Sequence, residues 1–246
     1  WAEWTVKVPA DAAYVIQLDY AAEENIGQIL EVMLEVDGKH PFREATGLTL
    51  KRLWQDASEI TQDSHGNDLV PEQKEVVAWQ QATLIDITGY TNNAYQVALT
   101  AGTHKIRLMA GDYPLYLSGV TLGVEETLAD YATVLSRWQA EGLQPVDTDP
   151  LTYAAETPKL KSDRTIFPVY DLSNASTVPS EPGIIKRNVI GGTNWKKAGE
   201  WITYEVNAPE DGLYVLTLKY RQNISMDTTV YRDIYVNGEI PYAEFE

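Results

Sequence analysis

Few residue patterns in this chain could carry bond-making chemistry. The three histidines, His40, His65 and His104, are isolated from one another, and no His-x-x-x-His pair occurs. There is no cysteine, which excludes disulfides, thiolate nucleophiles and Cys-ligated zinc or iron–sulfur sites. No glycine-rich phosphate loop or serine nucleophile elbow is present. Carboxylates are plentiful, so two could meet as a glycosidase pair, but no spacing nominates them. The chain therefore reads as non-enzymatic.

Two sets of residues could instead bind. Asp63-Ser64-His65-Gly66-Asn67-Asp68 has the spacing of oxygen ligands around a glycine turn, the donor type calcium prefers. It lacks the trailing Glu of an EF-hand and has no flanking helices, which favours a solvated acidic loop. Trp54, Trp79 and Trp195 fall at strand ends or beside long loops. An indole there can stack on the apolar face of a sugar ring or plug the end of a sheet. These are the candidate carbohydrate-binding residues.

Bulk composition narrows the partners. A net charge of −17 argues against nucleic acid and anionic membrane surfaces, whose phosphates require Lys and Arg. No run is apolar enough to span a membrane, so direct insertion is not expected. Tyr (15) and Trp (7) far outnumber Phe (3), suiting half-exposed β faces.

The elements that must position these residues are organised by a repeat. Trp1 to Glu44 recurs, without a gap, as Trp201 to Glu244. Tyr14, Val15, Leu18 and Tyr20 match Tyr214, Val215, Leu218 and Tyr220, and Val36, Gly38, Pro41 and Glu44 match Val236, Gly238, Pro241 and Glu244. The period is too long for a solenoid and reads as a duplicated domain. Ala12 is replaced by Gly212 in the second copy, as a turn seeking positive φ would prefer.

Alternation predicts strands over 1–8, 14–20, 29–36, 48–54, 76–87, 95–99, 104–109 and 115–122, with further ones near 153–156 and 184–190. Asp37-Gly38 is a hairpin signal. Helical spacing of Leu128, Tyr131, Leu135 and Trp138, with Gly142 following, predicts one helix over 125–141.

The second half carries Tyr153-Ala154-Ala155-Glu156, Gly199-Glu200-Trp201-Ile202, Pro209-Glu210-Asp211-Gly212-Leu213-Tyr214 and Val236-Asn237-Gly238. These resemble carbohydrate-binding module families 6 and 35, which are jelly-roll β-sandwiches. Ala101-Gly102-Thr103-His104-Lys105-Ile106-Arg107-Leu108 is similar to their penultimate strands. Gly66-Asn67-Asp68-Leu69-Val70-Pro71, Lys161-Ser162-Asp163-Arg164-Thr165, Asn188-Val189-Ile190-Gly191-Gly192 and Tyr220-Arg221-Gln222-Asn223 resemble the accessory region of large extracellular solute-binding proteins of Gram-positive sugar ABC transporters.

That resemblance implies oligo- or polysaccharide as a partner and a C-terminal solute-binding domain on the same parent chain. It also implies an extracellular location, anchored to the cell surface through the parent protein. A structural calcium is implied at Glu156, with Asp63 and Asp68 as further candidate ligands.

The expected architecture is all-β: tandem antiparallel, galactose-binding-like jelly-roll sandwiches. The first spans 1–123 and lacks N-terminal strands, 124–150 is helix and linker, and the second spans 151–246 and lacks C-terminal strands. The chain is read as a fragment of a larger protein. The second sandwich is expected to be the less complete, unless strands near 153–190 pair with 1–20. The repeated residues, including Trp1 and Trp201, are expected to be scaffold. The alternatives are a structural spacer, or the accessory part of a glycoside hydrolase.

Overall fold

The computed structural model describes residues 1–24, 27–89, 93–222 and 229–245; Asn223, the last residue of the Tyr220 motif, lies outside them. In chain order the strands are β1 (Ala2–Val8), β2 (Ala12–Ala22), β3 (Leu30–Val36), β4 (Leu48–Leu50), β5 (Leu53–Asp56), β6 (Gln73–Val76), β7 (Gln80–Thr83), β8 (Gln96–Leu99), β9 (Gly102–Ala110) and β10 (Leu115–Gly123). The helix α1 (Tyr131–Ala140) follows, and then the two short strands β11 (Leu160–Lys161) and β12 (Ile202–Thr203). The protein is thus largely antiparallel β with one α-helix among the described residues. Two compact units divide it: unit 1 comprises Trp1–Glu125 and Ala154–Glu205, and unit 2 comprises Glu126–Tyr153 and Val206–Glu246.

Unit 1 holds the main core. One sheet runs β1-β9-β3-β4; a second runs β10-β2-β7, with β8 also on β2. Alternation turns Tyr14, Ile16, Leu18 and Tyr20 of β2 and Leu30, Val32, Leu34 and Val36 of β3 into one shared apolar cluster, giving a sandwich-like arrangement. Each such side chain removed from water contributes roughly 1.5–3 kcal/mol before entropy is counted. Trp1 departs from the scaffold expectation: it is exposed, with the Arg107 guanidinium 4.9 Å from its ring centre.

The Asp37-Gly38 hairpin forms as its chemistry requires. Both residues sit at positive φ (51° and 77°), the two-residue turn that matches strand twist. Asp37 also organises the adjacent strand. Its Oδ1 accepts from the Lys105 N–H (2.8 Å), and its Oδ2 lies 2.7 Å from His104 Nδ1. His104 Nε2 faces the Thr100 carbonyl at 2.8 Å, so both ring nitrogens have acceptors and the imidazolium is favoured.

The hydrogen bond to Asp37, supported by Thr100, raises the His104 pKa; that to His104, supported by Lys105, lowers the Asp37 pKa. The pair's stabilisation is therefore complete between the two unfolded values. It fades as pH rises through the raised His104 value and as pH falls through the lowered Asp37 value. NMR titration should place His104 above 6.5 in the wild type. In D37N it should shift back toward 6.5 with the hairpin kept, because Asn237 occupies the equivalent turn position at φ 53°. An unshifted His104 in D37N would show that the pair does not form.

The expected strand over 48–54 is split into β4 and β5 at Lys51-Arg52, and β5 opens a third sheet, β12-β11-β5-β6. Residues 154–205 join unit 1 through it: Lys161 of β11 pairs with Trp54 of β5, and not with residues 1–20. The strands expected at 153–156 and 184–190 do not form ladders. Ala154 accepts from the Thr157 N–H in a turn. Along 184–190 isolated bridges, Ile184 with Glu181 and Val189 with Val169, alternate with side-chain bonds: Ile185 N–H donates to Asn67 Oδ1 and Arg187 N–H to Asp68 Oδ2, both at 2.9 Å.

In unit 2 the helix begins later than the apolar spacing suggests, because Asp130 caps it, its Oδ1 accepting from the Thr133 N–H at 2.7 Å. Gly142, at φ 93°, follows its end. Tyr242 packs on Tyr131 (4.9 Å between ring centres) and Phe245 (4.3 Å). Gly212 is needed for close approach and not for positive φ: a Cβ there would lie 2.4 Å from Val146 Cγ2 and 2.8 Å from the Gln144 carbonyl. The 144–146 segment bonds to Leu213 on both sides, through Leu213 N–H to Gln144 O (2.8 Å) and Val146 N–H to Leu213 O (3.1 Å). No helix of the described residues is long and apolar enough to cross a membrane.

Candidate functional site

The polar side chains of unit 1 concentrate where the third sheet meets the 160–200 segment. Lys161 is fully buried and its ammonium donates to Asp56 Oδ1 and Gln73 Oε1. Gln73 in turn donates to Asp56 Oδ1 (2.7 Å) and to the Pro71 carbonyl (2.9 Å). Burial pulls the Lys161 pKa down, while the Asp56 carboxylate opposes that shift. In the break between β4 and β5 the Arg52 guanidinium is buried against Glu75 of β6, and also donates to the carbonyls of Gln28 (2.6 Å) and Glu23 (2.8 Å).

A second cluster flanks the first. Lys51 is partly buried; desolvation lowers its pKa, with Glu200 and Asp163 opposing. Glu200 accepts from the backbone N–H groups of Lys196 (3.1 Å) and Lys197 (2.9 Å), and the Lys197 ammonium lies 3.5 Å from its other oxygen. Asp163 accepts from the Thr165 N–H and hydroxyl, both at 2.9 Å, and approaches Lys197 Nζ at 3.4 Å. Burial alone would raise the Asp163 carboxyl, but these partners hold it below its ordinary value. Ser162 fixes the strand edge, its hydroxyl accepting from the Trp201 N–H at 2.9 Å.

The candidate residues occupy different settings. Trp54 is 4 % exposed and faces the protein interior. Trp195 is half-buried, its indole N–H donating to the Glu200 carbonyl at 3.0 Å. Trp79, between β6 and β7, is 59 % exposed.

Asp63 turns its oxygens onto its own loop, accepting from the N–H groups of His65 (2.8 Å) and Asn67 (2.9 Å) and from the Asn67 amide (3.0 Å). Asp68 is buried, accepts from Gln62 (2.9 Å) and Arg187, and has the Lys186 ammonium at 3.8 Å. Glu156 is half-buried near Tyr204; burial, helped by the Glu156 charge, pushes the Tyr204 pKa up to about 12. Among the described residues no three acidic or His side chains are grouped to hold a metal ion. In this structure the Asp63 oxygens are engaged by N–H donors, and the Asp68 carboxylate by Gln62, the Arg187 N–H and the nearby Lys186 ammonium.

The buried pairs were not nominated by spacing. Their signal lies in Lys51-Arg52 set inside the apolar run Leu48–Trp54, where a charged residue must find a buried partner. The Gly66–Pro71 motif meets the segment just ahead of Asn188: Asp68 N–H donates to the Ile185 carbonyl at 2.8 Å, beside the bonds from the 185 and 187 N–H groups to Asn67 and Asp68. No protein-family model, no curated protein and no solved structure matches the chain.

Proposed function

We propose that this chain is a non-catalytic, carbohydrate-associated module pair of jelly-roll type. In this reading it belongs to a larger secreted or surface-anchored bacterial protein for sugar uptake. The observation that carries the reading is Trp79: a large aromatic exposed on a β-rich unit, in the 77–79 connection, where a planar ring can stack on a sugar face. The buried Arg52–Glu75 and Lys161–Asp56 pairs tie the strands of the third sheet to one another and to the 51–52 break, which suits a preformed binding face.

A second reading, a structural spacer, is favoured by Trp54 and Trp195, whose rings are engaged in packing and hydrogen bonding.

Titrating the chain with a panel of oligo- and polysaccharides, read by tryptophan fluorescence and by affinity electrophoresis, separates the two. The carbohydrate reading expects a response to at least one glycan and a loss of affinity of about tenfold in W79A, equivalent to about 1.4 kcal/mol. Silence across the panel from folded protein would assign the spacer role.

A further inference from the structure

One end of the third sheet gathers four charges that lie far apart in the sequence. β5 and β11 run antiparallel with Trp54 opposite Lys161, and β11 and β12 run antiparallel with Lys161 opposite Ile202. Lys51 ahead of β5, Asp163 after β11 and Glu200 ahead of β12 therefore share that end. The Lys197 ammonium lies between the two carboxylates, 3.4 Å from Asp163 and 3.5 Å from Glu200. Two groups of the cluster are left incomplete. The Glu200 side chain is 1 % exposed, yet its Oε1 receives no hydrogen bond. Lys51 feels the Glu200 and Asp163 charges but makes no hydrogen bond or ion pair of its own among the described residues.

A buried carboxylate oxygen without a donor and a desolvated ammonium without an acceptor are both costly. A group that donates and accepts at once relieves both. Lys197 does not complete Glu200: its 3.4 and 3.5 Å contacts exceed the roughly 2.7–2.9 Å of a good ammonium–carboxylate bond, and its side chain is 57 % exposed. It is a loose cover. The four charges cancel, and the net charge of −17 on the chain disfavours an anionic ligand, so the complement is neutral and rich in hydroxyls. Trp79 directly precedes Gln80, whose amide donates to the Lys51 carbonyl at 3.0 Å, which sets the start of β7 beside the cluster.

We propose that Lys51 and Glu200 form a subsite for a neutral sugar. One hydroxyl donates to Glu200 Oε1, its neighbour accepts from the Lys51 ammonium, and Lys197 is displaced toward solvent. The proposal rests on the carbohydrate reading and adds to it a sugar class and the polar groups that hold the sugar.

The test is calorimetric titration of the 246-residue chain with cellohexaose, mannohexaose and xylohexaose, and with hexagalacturonate as the anionic comparison. K51M and E200Q should each weaken the best neutral hexasaccharide about tenfold. E200Q keeps an oxygen for the Lys196 and Lys197 N–H groups and replaces only the free acceptor. K197A should tighten binding about threefold, a gain that a purely structural lysine would not give. Near-UV circular dichroism matching wild type controls for folding; should E200Q fail it, K51M and K197A decide. Wild-type affinity in K51M and K197A, with W79A weakened, would overturn the proposal and leave the carbohydrate reading standing, the cluster then holding only solvent. Preference for hexagalacturonate would also overturn it, assigning Lys51 to an anion. Silence with every glycan from folded protein overturns both readings together.

Discussion

Replacing Asp56 by Ala should destabilise unit 1 by about 3–5 kcal/mol, because it strips the buried Lys161 ammonium of its counter-charge. Lys161 is fully buried, and Asp56 is the carboxylate its ammonium meets. Gln73 alone would be left to accept from it. D56N, which keeps an oxygen acceptor but no charge, should cost less, about 1.5–3 kcal/mol. Removing both charges in the double variant K161M/D56L should recover most of that loss, since an apolar pair needs no desolvation of ions, with about 1 kcal/mol left for the Gln73 Oε1 that loses its donor.

Denaturant unfolding followed by hydrogen exchange of unit 1 reads all three. A D56A midpoint within experimental error of wild type would mean that the ammonium reaches water. The pH response has a definite sign. Burial lowers the Lys161 pKa in the fold, so the unfolded chain binds the proton more tightly between that lowered value and 10.5. Stability therefore rises with pH across this interval, and the rise should be steeper in D56A, where nothing opposes the shift.

The fold was legible in the sequence where structure is decided locally. Alternation in 14–20 and 29–36, the Asp-Gly turn and the Gly142 stop each specify their own backbone, and each forms. Asp130, overlooked against the longer apolar spacing, shows that a cap outweighs periodicity in setting a helix start.

What was not legible is partner choice. Nothing local distinguishes Leu18 from Leu218, yet one is core and the other exposed, because burial depends on strands far away in sequence. The same limit hid the charge pairs: Asp56 and Lys161 are 105 positions apart, and only the β5–β11 pairing joins them. The candidate site shows both sides. Trp79 is exposed in the break between β6 and β7, within the stretch read from alternation as one strand over 76–87, and the Asp63 oxygens of the ligand-like 63–68 spacing accept from N–H groups of their own loop.

Glu75→Ala should also cost about 3–5 kcal/mol, but with a different pH signature that separates the two buried pairs. Glu75 and Arg52 are both buried, and the guanidinium already serves the Gln28 and Glu23 carbonyls. Arg52 therefore cannot move out to water without leaving two acceptors unsatisfied. Nor can it shed its proton, as a lysine can, because a guanidinium stays charged in proteins. E75A should then be destabilised by a nearly constant amount up to pH 10, whereas the deficit of D56A shrinks as Lys161 becomes neutral.

The double variant R52M/E75L should recover less than K161M/D56L, because two backbone carbonyls, those of Gln28 and Glu23, lose their donor where only the Gln73 amide oxygen does in the other. Parallel unfolding curves for the four variants at pH 7 and pH 10 measure this difference. Equal recovery in the two double variants would show that Arg52 holds only Glu75. Greater recovery in K161M/D56L would show that Arg52 also ties Glu23 and Gln28 to the third sheet.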